Sequence, residues 1–465
     1  MKTTPKQRYG LSKILLPSFV LVITGAMAAA QAEASGSKNI WQVNDSYRDR
    51  QEWYFSALDM PGFYRDLERA TDTLEIKAAN VAIIDTGIKG NHPDLKHNLL
   101  TDAGKTFIKS LDPEFSATLV SDNKTPPSLF GYTIINGNSS CQRYYETADP
   151  YQVSNGHGTR VAGLAGAQTD NGMGIASFAY PAPGGKPLFN MMAIKIVETY
   201  DHLNITDSIS SAATLKSAED CKNFYGSQSE VWKQNAYPAT GARGGDTLKA
   251  IDYAVRYGTS PNTGVDVISM SLSGSGDVEA FEAQIKAAND KGIIVVSAAG
   301  NQCRSLLDFV PGAATNTLTV TATQSSQNNL TIADYTNYLP LPSMDSKQQM
   351  LISAPGGAQG CGFMGETYPD NESLYSTGWS VDYLYVTGTS MATPLISGFA
   401  ATLKSLLRSH GKRTEKLTTQ KYYQILADTA VKVDDVPSDK GIGALFQPQA
   451  ALAKFNAMLE RGDFD

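Results

Sequence analysis

Three short segments carry side chains that together could perform nucleophilic catalysis. Asp85 directly follows the apolar run Val81–Ile84, His157 has a glycine on each side, and Ser390 lies in the small-residue segment Gly388–Pro394. A serine hydroxyl is a weak nucleophile, so it needs an adjacent base and an acid that orients the base. His157 and Asp85 are the candidates for these two roles, and the set predicts a serine hydrolase.

Each of these residues also has an ordinary structural interpretation. An aspartate can cap a turn, a single histidine is usually structural or solvated, and a serine before a helix is commonly its N-cap. The segment Asp85-Thr86-Gly87 could also belong to an aspartic protease, whose carboxylate dyad needs two such segments. The chain contains no second Asp-Thr-Gly or Asp-Ser-Gly, so we set that interpretation aside.

A fourth candidate is Asn301, which ends the segment Ala298–Asn301 after a further apolar run at 293–297. A carboxamide at the end of a strand can donate a hydrogen bond to a developing oxyanion. By itself, Asn301 would be an ordinary turn residue.

The elements that must position these residues alternate along the chain. Strands are predicted at 81–84, 193–197, 265–272, 293–297, 318–322 and 383–386, and helices at 158–167, 247–257, 279–291 and 391–408. This alternation favours a three-layer α/β fold with a mostly parallel central sheet flanked by helices. Ligands of such sheets bind beyond the carboxyl ends of the strands, so we expect the chemistry there.

Two polar stretches interrupt the alternation, at about 99–153 and 198–245. Both are longer than ordinary connections and lack clear periodicity. We interpret them as surface insertions, parts of which should lie near the rim of the cleft.

Together the catalytic segments resemble the subtilisin-like serine proteases, the subtilase family. The matching segments are Asp85–Ile88 with His92–Leu95, Gly156–Gly163 and Gly388–Pro394, in the order Asp, His, Ser that is known for subtilisin. The resemblance runs from about Trp53 to the C-terminus and leaves the two insertions unmatched.

The resemblance implies a serine endopeptidase that cleaves polypeptides through an acyl-enzyme. It implies that Ser390 is the nucleophile and that His157 is the general base and acid. Asp85 would fix the imidazole tautomer, and Asn301 would donate to the oxyanion beside the backbone N–H of Ser390. The implied substrate-binding residues are Ser271, Leu272, Ser273, Gly274 and Gly300, and Ser273 stands where the family has a glycine.

The resemblance also implies a structural calcium ion. The segment Thr169–Ile175 resembles a loop that wraps calcium in the family, with Asn171 and Asp94 as side-chain ligands and Thr169, Met173 and Ile175 in the same set. Oxygen ligands of this kind suit calcium. The alternative is a plain polar turn.

Two other classes of protein are alternatives to a serine protease. A binding protein built on an inactive protease fold is disfavoured because Asp85, His157, Ser390 and Asn301 are all present. An esterase is disfavoured because Ser390 lacks the usual Gly-x-Ser-x-Gly segment. The formal net charge of −7 also argues against a nucleic-acid partner, which usually requires a basic patch.

The N-terminus has the layout of a secretory signal peptide at 1–32, with a basic start, an apolar run at 14–30 and small-x-small cleavage patterns. The alternative is a membrane anchor, but the run is short for a spanning helix. We expect an N-terminal segment or short propeptide at 33–52 and a catalytic domain at 53–465. The mature protein should be a secreted monomer, extracellular or periplasmic, without a membrane attachment.

Four cysteines remain after the signal, and export favours disulfides between them. Four cysteines allow three pairings. Cys141 and Cys221 lie in the two insertions, Cys303 lies just after Asn301, and Cys361 lies in a glycine-rich stretch. We therefore predict the pairs Cys141–Cys221 and Cys303–Cys361.

Overall fold

The computed structural model describes 43–107, 120–121, 129–135, 138–144, 149–152, 156–181, 185–205, 216–227, 237–241, 244–257, 264–326, 329–342, 349–361 and 372–465. The predicted signal peptide and the first part of the segment after it lie outside these residues.

A sheet of eight strands forms the centre of the fold. Its strands are β1 (Ala79–Asp85), β2 (Lys105–Thr106), β6 (Phe189–Lys195), β9 (Val267–Met270), β10 (Ile294–Ala298), β11 (Leu318–Ser326), β12 (Asn329–Ile332) and β14 (Met350–Pro355). The order is β12-β11-β10-β9-β1-β6-β2, with β14 also paired to β11. Every pair is parallel except β11 with β12, which confirms the predicted mostly parallel sheet.

Helices cover the sheet and complete a three-layer fold. They are α1 (Glu52–Ala57), α2 (Met60–Thr71), α3 (His157–Gly166), α4 (Ala218–Ser227), α5 (Gly244–Tyr257), α6 (Val278–Asp290), α7 (Thr389–Ser409), α8 (Thr419–Ala427) and α9 (Pro448–Glu460). Helix α7 packs on α3 and crosses β1, β9, β10 and β11, while α5 and α6 pack together against the sheet.

The apolar residues of the sheet explain this layering. All seven residues of β1 are buried, as expected for a central parallel strand with both faces covered. Ala82 and Ile84 join one apolar cluster with Ile251 of α5 and Ile285 of α6. Because alternate residues of a strand face opposite sides, the other residues of β1 face the opposite helical layer.

The two insertions form a second sheet, which the sequence did not predict. Its strands are β3 (Val120–Ser121), β4 (Leu129–Ile135), β5 (Asn138–Tyr144), β7 (Glu198–Ile205) and β8 (Tyr237–Gly241). They pair in the order β3-β4-β5-β7-β8, antiparallel throughout. The absence of clear periodicity was therefore misleading, because strands such as Asn-Ser-Ser-Cys-Gln-Arg-Tyr of β5 are too polar to show the apolar alternation of a half-buried strand.

Both predicted disulfides are confirmed. Cys141 of β5 is bonded to Cys221 of α4, with Cα atoms 5.6 Å apart, so the bridge joins the two insertions. Cys303 is bonded to Cys361, with Cα atoms 5.5 Å apart. The second bridge lies two residues beyond Asn301 in the sequence.

Smaller pieces complete the described part of the chain. Strands β15 (Leu374–Thr377) and β16 (Tyr383–Val386) form an antiparallel ribbon that leads into α7, and β13 (Leu339–Pro340) pairs with β17 (Lys440–Gly441). The predicted strand at 383–386 thus exists, in a two-stranded ribbon outside the central sheet. None of the helices in the described ranges is long and apolar enough to cross a bilayer.

Candidate active site

Asp85 and His157 are joined by a short hydrogen bond. His157 Nδ1 lies 2.8 Å from Asp85 Oδ1 and 3.0 Å from Oδ2. Asp85 ends β1 and is fully buried, and its Oδ1 also accepts the backbone N–H of Thr86 at 2.7 Å. A carboxylate accepts hydrogen bonds, so the ring proton belongs on Nδ1 and the neutral ring carries its lone pair on Nε2.

Gly158 explains how the helix of His157 can come so close to the end of β1. A Cβ atom on Gly158 would lie 2.2 Å from the carbonyl oxygen of Gly87, so any side chain there would push α3 away. The backbone N–H of Gly158 donates to Thr86 Oγ1 at 2.8 Å. The glycine after His157 therefore fixes the distance between the base and the acid.

Ser390 lies in the first turn of α7, held by the end of β9. Its Oγ donates to the carbonyl oxygen of Ser271 at 3.2 Å, and Ser271 Oγ donates to the carbonyl oxygen of Ser390 at 2.9 Å. Pro394, four residues later in the helix, has no N–H to give to that carbonyl. Ser271 thus replaces the missing helical hydrogen bond and anchors the turn that carries Ser390.

Asn301 has its side-chain amide fixed by Thr389, a residue to which the sequence analysis gave no role. Asn301 Oδ1 accepts from Thr389 N at 2.9 Å and from Thr389 Oγ1 at 2.7 Å. Thr389 Oγ1 also accepts the backbone N–H of Gly300 at 3.1 Å. Because these hydrogen bonds hold Oδ1 against Thr389, the donor atom Nδ2 points away from Thr389.

An open space lies between the two candidate oxyanion donors. A Cβ atom on Gly388, whose φ is 130°, would lie 3.1 Å from Asn301 Nδ2 and 3.7 Å from Ser390 N. The absence of a side chain on Gly388 leaves room where an oxygen could accept from both groups.

The predicted substrate-binding residues lie on both sides of Ser390. Ser271, Leu272, Ser273 and Gly274 follow β9, while Gly300 follows the neighbouring strand β10. The structure therefore brings them to one edge of the sheet, together with Asp85, His157, Asn301 and Ser390.

An exposed tryptophan lies next to this edge. A Cβ atom on Gly156 would lie 2.0 Å from Cδ1 of Trp379, so the indole rests on the residue before His157. Trp379 lines a cleft of about 680 Å³ together with Lys89, Tyr151 and Gln152. The sequence gave no signal for it, because Trp379 belongs to none of the motifs.

The predicted calcium loop surrounds a buried carboxylate, Asp94. Asp94 Oδ2 accepts from Ile175 N at 3.0 Å, and Oδ1 accepts from Asn171 Nδ2 at 2.8 Å. Asn171 Oδ1 in turn accepts from Met173 N at 2.9 Å. Thr169 bonds through Oγ1 to the backbone of Ser177.

A second buried carboxylate, Asp45, lies against the same loop and was missed by the sequence analysis. Asp45 Oδ2 accepts from Asp170 N at 2.9 Å. The neighbouring Asn44 Oδ1 accepts from Gly172 N at 2.6 Å, and Ser46 Oγ accepts from Gly174 N at 2.9 Å. We call Asp45, Asp94 and residues 169–175 the acidic loop.

The acidic loop carries more negative charge than its surroundings balance. Burial raises the pKa of Asp45 to about 6, against backbone N–H groups that lower it. Burial, together with the negative charge of Asp45, raises the pKa of Asp94 to about 7. Asp45 Oδ1 makes no hydrogen bond in the described part of the chain, where neither carboxylate has a salt-bridge partner.

This donor set fits a hard cation in charge and ligand type. Two carboxylates and the amide and carbonyl oxygens of one loop are the ligands that calcium prefers. Asn171 would have to turn its amide so that Oδ1 replaces Nδ2. Within the described ranges, no three His, Cys, Asp or Glu side chains come together as a metal cluster, so neutral oxygens would have to complete the site.

Comparison with known proteins gives consistent matches. A family model described as "Subtilase family" matches residues 77–446. Thermitase from Thermoactinomyces vulgaris is 24% identical over 366 residues, which cover 79% of this chain and 86% of thermitase. An intracellular serine protease from Paenibacillus polymyxa is 24% identical over 374 residues, covering 80% of this chain and 79% of that protein.

A solved structure has the same fold. It belongs to proteases from Pseudoalteromonas arctica and superposes with a TM-score of 0.56, covering 89% of this chain and all of the other. The sequence identity of this pair is 24%.

Proposed function

The chain belongs to the subtilase family, and on that premise we propose that it is a serine endopeptidase that forms its acyl-enzyme on Ser390. The observation that carries the proposal is the hydrogen bond between the buried Asp85 and His157 Nδ1, at 2.8 Å. It holds the imidazole in the tautomer that a general base requires, on the same sheet edge as Ser390 and Asn301.

In the first half of the reaction, Ser390 Oγ attacks the carbonyl carbon of the scissile peptide bond. His157 Nε2 takes the proton of the hydroxyl, and Asp85 stabilises the resulting imidazolium. To attack, Ser390 Oγ gives up its hydrogen bond to Ser271 O. The hydrogen bond from Ser271 Oγ to Ser390 O can remain throughout, so the helix turn stays in place.

The tetrahedral intermediate places its oxyanion between Asn301 Nδ2 and Ser390 N. His157 then gives its proton to the leaving amine, and an acyl-enzyme remains on Ser390. Water attacks the ester with His157 again as base, which releases the acid product and restores the serine. Every proton in this scheme passes through His157.

Two observations support a protease rather than the rival classes. All four chemical groups occur together at one sheet edge, which an inactive binding protein would not need. Ser390 also lacks the Gly-x-Ser-x-Gly segment of the esterase-type nucleophile elbow, because Ala392 stands in place of the second glycine.

The test has two stages. A fluorophosphonate probe should label the wild-type protein and the Ser275→Ala variant, but not Ser390→Ala, because the probe reacts with an activated serine. Separate, unlabelled samples of the wild-type protein and of Ser275→Ala should digest casein, whereas Ser390→Ala should lose activity by several orders of magnitude and keep its melting temperature. Equal casein digestion by purified Ser390→Ala would contradict the proposal, and labelling without casein digestion would favour an esterase.

We further propose that the acidic loop holds a structural calcium ion. Asp45 and Asp94 would supply its charge, and residues 169–175, including Asn171, would supply neutral oxygens. The ion would compensate two buried negative charges and stabilise the fold without taking part in the chemistry. The unpaired Oδ1 of Asp45 supports this proposal.

The remaining proposals concern the N-terminus and location of the protein. We propose export to the periplasm or medium, cleavage of residues 1–32 and a monomeric mature enzyme; two disulfides support an oxidising compartment. We also propose that residues 43–52 belong with the catalytic domain. The hydrogen bond from the fully buried Gln51 to Ala176 O, at 2.9 Å, supports this proposal. Any propeptide should therefore end before Val43, which N-terminal sequencing of the exported protein would check.

A further inference from the structure

Two segments lie side by side next to Ser390, because strands β9 and β10 pair in the sheet. They are Ser271–Gly274, which follows β9, and 299–301, which follows β10. Ser390 Oγ donates to Ser271 O at 3.2 Å, and Thr389 N donates to Asn301 Oδ1 at 2.9 Å. In the proposed acyl-enzyme, with the acyl oxygen at Asn301 Nδ2, the side chain of the acylated residue would enter the space between these two segments. We call that space the acyl gap and the two segments its walls.

The hydroxyl of Ser273 lies across the acyl gap from Gly300. A Cβ atom on Gly300 would lie only 2.4 Å from Ser273 Oγ, so the hydroxyl is in close contact with the opposite wall. Less than 1 Å² of Ser273 Oγ is accessible to solvent. No methyl-sized group could fit between Ser273 Oγ and Gly300.

The hydroxyl is also unpaired, although it is surrounded by polar atoms. Ser273 Oγ makes no hydrogen bond within the described residues. The nearby Asn337 Nδ2 gives its two protons to Ala299 O at 2.9 Å and to Gln302 Oε1 at 2.8 Å. A buried unpaired hydroxyl is unfavourable for stability, so its presence calls for an explanation outside the packing of the fold.

The walls of the acyl gap are fixed and cannot easily separate. Gly274 exchanges two backbone hydrogen bonds with Val310, at 3.0 and 2.8 Å. Gly300 donates to Thr389 Oγ1 at 3.1 Å and accepts from Asn337 N at 2.9 Å. Widening the gap for a large side chain would break some of these bonds.

We propose that Ser273 closes the floor of the acyl gap and restricts cleavage to bonds that follow glycine, alanine or serine. The proposal rests on the proposed function, because it assigns the substrate class of the same site. The size of the residue before the scissile bond decides whether it is accepted, because the Ser273 hydroxyl fills the space that a longer side chain would need.

The experiment uses peptide p-nitroanilides that differ only in the residue before the scissile bond, either alanine or phenylalanine. For the wild-type enzyme, kcat/KM should be at least about 100-fold higher for alanine, since even one misfitting methylene costs about 10- to 200-fold. Ser273→Gly should reduce this ratio by at least about tenfold, mainly by improving cleavage after phenylalanine.

The control is Ser275→Gly, the same chemical change at an exposed position of the same loop. It should leave the ratio unchanged. If Ser273→Gly does not fold, the wild-type ratio measured with the two substrates still decides the question.

The outcomes separate the two proposals. Wild-type cleavage after phenylalanine as fast as after alanine, or an unchanged ratio in folded Ser273→Gly, overturns the role of Ser273 and leaves the protease assignment intact. Failure to cleave casein or any peptide of a mixed library overturns the proposed function itself.

Discussion

The sheet edge around Ser390 and the acidic loop differ in how their buried negative charge is stabilised. At the sheet edge, the buried Asp85 is met by two N–H groups, and Thr389 fixes the amide of Asn301. In the acidic loop, two buried carboxylates accept hydrogen bonds from the same segment at 169–175, and the pKa of each is raised by burial. At the sheet edge, groups of the protein itself supply the hydrogen bonds that stabilise the buried charge. The acidic loop, in contrast, has an excess of negative charge.

Because of this difference, the two regions should also differ in what keeps their structure in place. Dipoles that are already oriented stabilise a developing charge without reorganisation during the reaction, so the sheet edge should depend on its own residues alone. Buried carboxylates are costly unless they are paired or coordinate a metal, so the acidic loop should depend on a ligand from solution. Changes at the edge should therefore affect rate, and changes in the loop should affect stability.

Among the changes that separate the two regions, Asn301→Ala should affect the rate most strongly. Removal of Nδ2 should lower kcat by about a hundred- to a thousandfold with little change in KM, because the donor acts on the transition state. This magnitude is the one known for the oxyanion asparagine of subtilisin, a member of the same family. The measurement is steady-state kinetics on one peptide substrate, beside a thermal melt.

Two results of the same experiment would contradict this expectation. A raised KM with unchanged kcat would make Asn301 a substrate-binding residue. A large fall in melting temperature would show that the amide also holds the fold together.

Removal of calcium tests the acidic loop. Excess chelator should lower the melting temperature by several degrees, since a ligand at about 100 times its Kd stabilises the folded state by about 2.7 kcal/mol. Added calcium should restore the melt, and kcat measured well below the melting temperature should not change.

Two variants locate the effect. Asp45→Asn should reduce the difference between the melts with calcium and with chelator, whereas Asp49→Asn, a change at a nearby exposed acid, should not. Identical melts of the wild-type protein with chelator and with calcium would remove the calcium proposal.

A weaker effect on the rate is expected at Thr389, which positions Asn301. Thr389→Val removes the hydroxyl that donates to Asn301 Oδ1 and accepts from Gly300 N, so only the backbone N–H of Thr389 still holds the amide and its orientation is less well fixed. Loss of about 1.4 kcal/mol, the order of one hydrogen bond, corresponds to about a tenfold lower kcat. Thr389→Ser keeps the hydroxyl and should retain most of the rate. Equal kcat in the valine and serine variants would show that the hydroxyl does not orient the amide.

The sequence predicted those parts of the molecule that depend on local pattern. The predicted strand at 81–84 lies within the buried β1, and the predicted helix at 391–408 lies within α7. The end of β1 and the start of α3 carry motifs that reveal Asp85 and His157 without knowledge of the fold.

The missed features depend on contacts between distant segments. Asp45 reaches the acidic loop across 125 positions of sequence, and no motif surrounds it. The hydroxyl of Thr389 contacts Asn301 across 88 positions, which is visible only once β10 and α7 are packed. The strands of the insertions obtain their order from antiparallel pairing and from a disulfide, neither of which leaves a periodic apolar pattern.

The bridge between Cys141 and Cys221 has a consequence for anyone who wishes to shorten this enzyme. Strand β7 of the second insertion pairs with β5 of the first, and the disulfide joins the same two insertions. Deletion of the first insertion alone would leave β7 with an open edge and Cys221 with a reactive thiol, which invites cross-linking between molecules. The two insertions are therefore a single unit of deletion, and a trimmed protease should lose both or neither.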